Sequence, residues 1–529
     1  MKIELAILSL PLVACAPPAP KAFSSSQPNG LPVGLLERLY GTPGYHYTVA
    51  ESHDGFYSTT VDQTDGFGVF AELDDKGFFT PSDYVLGVNT TEDIQDIIPK
   101  FLQEDVSVRD MKCEANDYCK WHKENNGKSG GSPPSGEFKN LVFPFRFFNH
   151  TNRDLQLADL ELDTFNDDHI SVKDYFESQS FGKLTLHNHF ADPVDITKDE
   201  KYCADNVSGT SKKLHECLKE VLDACPPATC KHNIADFDII TFVHSGYGAE
   251  HGDRDNKGNY YDDRIWSHAW EIDTSAGKMR YALTSAFFGI ENQNIQRVGI
   301  PIHEIAQAMG APTLYAGYPG FGLGLYDVMS SPYGFDGTQH HCSSMSAFTR
   351  VYLEWAEVEE IDTDGTYTIK SNKDSNKVYK ISKGFDSGEY LYIENRVDDG
   401  YDTGMRGPGL AIYHVDETAD DKASTPDDAN YPASHYRVSL IQADGHFDLE
   451  HMEDDGDKDD LFSHFKVDGI TAQGPLVKGV LSNHGLYPGY PNTKGYAGGA
   501  FKDTGLEIKD ISAPGPEMTF TVSFGTSSS

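Results

Sequence analysis

Between residues 27 and 88 apolar and polar positions alternate in short runs such as "GFYSTTV" and "GVFAEL", rich in Tyr, Phe and Val and separated by Asp-Gly and Lys-Gly pairs. Alternation with a period of two belongs to strands that bury one face, and the glycines suit tight turns between them. A small β domain is predicted here. Residues 89 to 137 lose this pattern and end in "ENNGKSGGSPPSGE", whose Gly, Ser and Pro content marks a linker. From Phe138 strands alternate with helices. "NLVFPFRFF" and "FDIITFVHSG" read as buried strands, and the pattern after Ser171 reads as a helix capped by that serine, followed by a strand from Lys183. Beyond residue 358 the chain returns to alternating strands: "GTYTIKS", "KVYKISK", "EYLYIENR", "GLAIYHVD", "YRVSLIQ" and a last pair ending at residue 525. The expectation is a multidomain α+β chain. It has a small N-terminal β domain (27–88), a linker with a Cys pair (89–137), a mixed α/β domain (138–357) and a C-terminal antiparallel β-sandwich (358–525).

Composition and charge narrow the function. The chain has 529 residues and a formal net charge of -39. Such a field repels nucleic acid and anionic membranes, so neither is an expected partner. Residues 1–16 carry Lys2, an apolar stretch interrupted by Pro11, and small residues, as in an export signal. Ala14-Cys15-Ala16 suits ordinary cleavage and secretion; Leu12 to Cys15 also reads as a lipobox, which would leave a lipid anchor on Cys15. No later segment is apolar and long enough to cross a membrane. In an exported chain the remaining cysteines are read as disulfides, Cys113 with Cys119 and further bridges among Cys203, Cys217, Cys225 and Cys230, with Cys342 as a buried free thiol.

The candidate chemistry sits in "HEIAQAMGAPTLYAG", residues 303 to 317. A helix with H-E-x-x-H sets two imidazoles one turn apart on one face and aims the Glu at a zinc-bound water. His303 and Glu304 occupy the first two places, but Gln307 stands where the second imidazole belongs. Pro301 just upstream is harmless only near the start of a helix, so the helix is expected to begin late. A second candidate is the acid-rich stretch "HMEDDGDKDDLF" (451–462), which has the Asp and Gly content of oxygen-ligand calcium loops without the regular EF-hand spacing.

In the order of its segments the chain resembles the immune inhibitor A-type zinc metallopeptidases, the sixth metallopeptidase family. "QPNG" with "DGFYSTTVD" is similar to the family's pro-segment; "SVKDYFESQSFGKLTL", "FDIITFVHSGYG" and "IWSHAW" to its catalytic domain; "EYLYIENR", "GPGLAIYHVDE" and "RVSLIQADGHFDLE" to the β domain that follows. The resemblance implies a secreted endopeptidase with a zincin-like domain, acting on polypeptides through zinc, with Glu304 as general base and His303 and position 307 as metal ligands. Gly310, Pro312, Leu314 and Tyr315 match the family's helix and the turn after it, while Gln307, Thr313 and Ala316 replace a His and two Asp. If the aspartate matched by Thr313 is the third ligand, two of three are gone. His340 and His341 are the candidates to make good the loss, Asp327 matches a structural aspartate, and His268 has no assigned chemistry. Two readings therefore stand: a weakened zinc metalloendopeptidase, or a catalytically inactive protein that keeps a polypeptide-binding cleft. Calcium is a further possible cofactor.

Overall fold

The computed structural model describes residues 133–525 apart from 226–230, 253–254, 256, 316–320, 420–435, 452, 466, 472, 478–489 and 497–498, together with strand segments between 23 and 86 and Tyr118. The proposed signal segment and the pair Cys113 and Cys119 lie outside the described residues. The chain is mixed α+β, with several sheets and few helices, and it divides into two compact units. The first comprises 1–130, 139–167 and 187–309; the second comprises 131–138, 168–186 and 310–529.

In the first unit, strands β1 (Phe23–Ser26), β2 (Pro32–Thr42), β3 (Tyr45–Ser52), β4 (Gly55–Val61), β5 (Gly68–Leu73) and β6 (Phe79–Val85) pair in sequence order as an antiparallel meander. This is the β segment that the alternating runs predict. The larger sheet has the order β11 (His268–Thr274), β12 (Gly277–Phe288), β10 (Ile239–Tyr247), β7 (Gly136–Arg146) and β8 (Leu184–Phe190). β9 (Val194–Asp195) pairs with β7, and β13 (Asn294–Ile295) with β12. β10 runs parallel to both β12 and β7. Every residue of β10 is buried, as are Asn140 to Phe145 of β7. Continuous apolar runs, rather than alternation, are what a parallel strand covered on both faces requires. Helix α1 (Lys212–Asp223), capped by the Ser211 hydroxyl, sends Leu214, Leu218 and Val221 into a core shared with Phe143, Phe242, Trp266 and Trp270. Cys203 and Cys217 are joined by a disulfide, and Cys225 is disulfide-bonded as well.

The second unit holds the short helix Val172–Gln179, whose capping serine is Ser171: its hydroxyl accepts the Asp174 backbone N–H at 3.1 Å. The strands of the rest of this unit form two sheets. One has the order β14 (Glu357–Glu360), β16 (Lys377–Ile381), β17 (Glu389–Arg396), β18 (Gly409–Asp416), β19 (Val438–Leu440). The other runs β15 (Gly365–Lys370), β23 (Glu517–Phe524), β22 (Leu506–Lys509), β20 (Val467–Thr471), β21 (Gly474–Val477). Their pairings are antiparallel except that of β14 with β16. Ile381, Leu391, Ile393 and Ile412 of the first sheet share one apolar core with Ile369, Ile508, Phe520 and Val522 of the second. Cys342 is a buried free thiol, as its odd number suggests.

Candidate functional site

Helix α2 (Gly299–Met309) carries His303, Glu304 and Gln307, and all eleven of its residues are buried. It packs on β10, β11 and β12 of the first unit. Its sequence, GIPIHEIAQAM, is apolar nearly all round, and a helix of that kind is stable only when covered on every side. Residues 303 and 307, four apart, share one face, as the motif requires. One expectation about the helix is corrected. It does not begin late: Pro301 is its third residue, and Ile302 already donates to the Val298 carbonyl at 3.0 Å. Pro301 is tolerated because the first backbone N–H groups of a helix have no partner inside it. Gly310, at φ +106, follows the last turn in a left-handed conformation that favours glycine and stops the helix.

The side chains at this centre do not fit a catalytic zinc. Such a site takes three strong protein ligands and leaves a fourth position for water. Position 303 supplies one imidazole. Position 307 supplies a neutral amide, a weak donor toward zinc, and Thr313 offers a neutral hydroxyl rather than a carboxylate. Among the described residues, the groups of His, Cys, Asp and Glu close enough to hold one metal ion all lie between residues 444 and 460, and none includes His303 or Glu304. His340 and His341 belong to no such group either; His340 is exposed and His341 half-buried. Ala316 lies outside the described residues.

Two further residues singled out in the sequence have structural work. His268 is fully buried at the start of β11, with Nδ1 2.8 Å from the Trp266 carbonyl and Nε2 3.1 Å from the Tyr281 hydroxyl. Asp327 accepts from the Met329 and Ser346 backbone N–H groups and from the Ser346 and Thr349 hydroxyls, at 2.5 to 2.9 Å. It ties the turn after residue 326 to the helix Ala347–Tyr352. Complete burial pushes its carboxyl upward, and the four donors oppose that shift.

One cluster escaped the sequence reading, and a second was read only in part. In the first unit, buried His150 and Glu200 stand 3.6 Å apart, with Arg153 donating to the Ser245 carbonyl at 2.6 Å beside them. Burial pushes Glu200 up to about 8 and His150 down to about 2, so both are held neutral. Gly246 lies against this pair: a Cβ there would sit 1.8 Å from Glu200 Oε1 and force that side chain to shift. These residues come from three separate stretches, around 150–153, 200 and 245–246, and no local spacing links the three.

The second cluster lies partly within the acid-rich loop and partly upstream of it. Three overlapping trios, Asp444–His446–Asp448, Asp444–Asp457–Asp460 and Asp448–Asp454–Asp457, each bring their ligand atoms within 4.8 Å of one another. Two carboxylate charges at that separation repel by more than about 3 kcal/mol even at an effective dielectric of about 20. His446 Nδ1 lies 3.2 Å from Asp444 Oδ2 and 3.7 Å from Asp448 Oδ2, and the field of Arg406 reaches Asp454. Burial and the neighbouring acids push Asp448 up to about 7. The 451–462 loop alone misses Asp444 and Asp448, which precede it. The available signal was Asp444, His446 and Asp448, ligand-type residues at every second position.

The chain matches no protein-family model and no curated protein.

Proposed function

We propose that the chain is an exported relative of the immune inhibitor A-type peptidases in which the zinc centre has been reduced, and that it engages polypeptides while hydrolysing them feebly or not at all. The observation that carries this reading is the buried helix α2, which sets residues 303 and 307 on one face but supplies only one imidazole there. The reading takes 1–16 as a signal peptide, 27–88 as a pro-segment-like domain, 138–357 as a zincin-like domain and 358–525 as a β-sandwich. The shared core of the two five-stranded sheets supports the last of these. The disulfide at Cys203 and Cys217 supports export, either to the medium or to a lipid anchor on Cys15. Among the described residues no helix is long and apolar enough to cross a membrane.

The competing reading is a metalloendopeptidase with zinc on His303, Gln307 and a third ligand, and Glu304 as base; retention of the His303-Glu304 pair on a buried helix favours it. Zinc content separates the two. After dialysis against zinc and removal of loosely held metal, the proposal expects far less than one zinc per chain and no cleavage of a denatured protein. About one zinc per chain, with cleavage abolished by Glu304→Gln, would establish the enzyme instead.

A further inference from the structure

Asp444, Asp457 and Asp460 offer three oxygens within 4.8 Å of one another, and Asp448 and Asp454 form a second such trio with Asp457. Oxygens bound to one calcium ion at about 2.4 Å stand at most about 4.8 Å apart, so a single ion can span either trio. Acidic clusters reach such spacings on many surfaces, and a second feature separates this one from them. Asp460 is only 1% exposed. Its Oδ2 accepts from the Tyr326 hydroxyl at 2.9 Å and from the Asp457 backbone N–H at 2.8 Å. Its Oδ1 is buried and, among the described residues, accepts no hydrogen bond. Asp444, 5% exposed, stands beside it. A buried carboxylate oxygen with carboxylates for neighbours and no donor is the environment that a bound cation relieves.

We propose that Asp444, Asp457 and Asp460, with Asp448 and Asp454 next to them, bind a divalent cation of the calcium type. The ligand set is oxygen-rich, which suits a hard cation; His446, in the trio with Asp444 and Asp448, is the one softer donor. The ion clamps the 444–460 segment to the turn at Gly324–Tyr326. Hydrogen bonds already join the two: Leu325 N–H to the Asp455 carbonyl at 2.7 Å, and the Tyr326 hydroxyl to the Asp457 carbonyl at 3.0 Å. Close packing at this joint admits no side chain at Gly324, where a Cβ would meet the Asp455 carbonyl at 2.2 Å. The site is independent of the peptidase reading and lies within the second unit alone.

Terbium is a fitting probe, because its emission is sensitised by a tyrosine as near as Tyr326. The full chain, stripped with chelator, is titrated with terbium and then with calcium, magnesium and zinc in competition, and its melting is followed in parallel. The expected result is terbium emission displaced by calcium at submillimolar concentration and a melting midpoint several degrees higher in calcium than in chelator. Asp460→Asn and, separately, Asp457→Asn weaken calcium at least tenfold. If Asp460→Asn fails to fold, the half-buried Asp457 carries the same test. The proposal is overturned by absent terbium emission together with identical melting curves, by calcium affinity unchanged in the folded variants, or by displacement with zinc but not calcium.

Discussion

Helix α2 and the 444–460 segment both carry metal-type side chains, and they differ in what surrounds them. In α2 the groups are spaced by helical geometry on one buried element, and the ligand set stops at one imidazole and an amide. In the 444–460 segment the one regular element is the short helix Asp448–His451, yet five carboxylates and an imidazole gather in overlapping trios at ligand distance. The first region has the geometry of a metal centre without enough donors; the second has the donors without a motif. Donor number and charge favour the second region over the first for a hard cation, which is why calcium is proposed there.

The largest expected effect separates burial of an acid from binding of a cation. Glu200 is buried, and its folded value of about 8 exceeds the ordinary carboxyl value of 4.5. A raised carboxyl contributes stability that is complete below the unfolded value and is lost as pH rises through the folded one. Glu200 alone would lose it between about pH 4.5 and 8 at roughly 1.4 kcal/mol per unit; His150, lowered from 6.5 to about 2, opposes this below about pH 6.5, so the net fall should run between about pH 6.5 and 8. Glu200→Gln should flatten this slope in urea titrations at several pH values, and calcium should leave the slope unchanged. A slope that calcium abolishes would mean that burial and cation binding are not separate in this protein.

Next in size is a reversal of sign at Asp460. In chelator, Asp460→Asn removes a repelled, desolvated charge and should stabilise by about 1 kcal/mol; in millimolar calcium it should destabilise by about 1–3 kcal/mol. Loss of stability of equal size in both conditions would reduce Asp460 to a hydrogen-bond acceptor. The smallest effect is at Lys458, an exposed cation paired with Asp459 whose field reaches Asp457 and Asp444. Lys458→Met should change stability by less than about 0.5 kcal/mol. It should tighten calcium binding about twofold at low salt, with the gain fading as salt screens the field. A weaker calcium affinity in that variant would argue against the charge account.

Local pattern made the strands legible. The runs 365–371, 377–383, 389–396 and 409–416 each became a strand, because alternation and turn residues act over a few positions. Ser171 was readable as a cap for the same reason. Helix α2 was readable as a helix with the two motif positions on one face, but Pro301 misled about its start. What escaped depends on distance in space. Glu200 meets His150 fifty positions away, and Asp460 completes a group begun at Asp444. The interleaving of three segments in each compact unit is equally invisible to a reading that moves along the chain.

The central claim, that the α2 scaffold persists while its ligand set is incomplete, is tested most directly by cleavage of a denatured protein by Gln307→His with zinc supplied. The variant restores the second imidazole on the face of His303 and should raise zinc affinity by tenfold or more, the scale on which even outer partners of a ligand act. The wild type should be inert and the Gln307→His variant should bind zinc and cleave, with cleavage lost again on adding Glu304→Gln. Zinc-dependent cleavage by the wild-type chain at a rate equal to the variant's would contradict this claim.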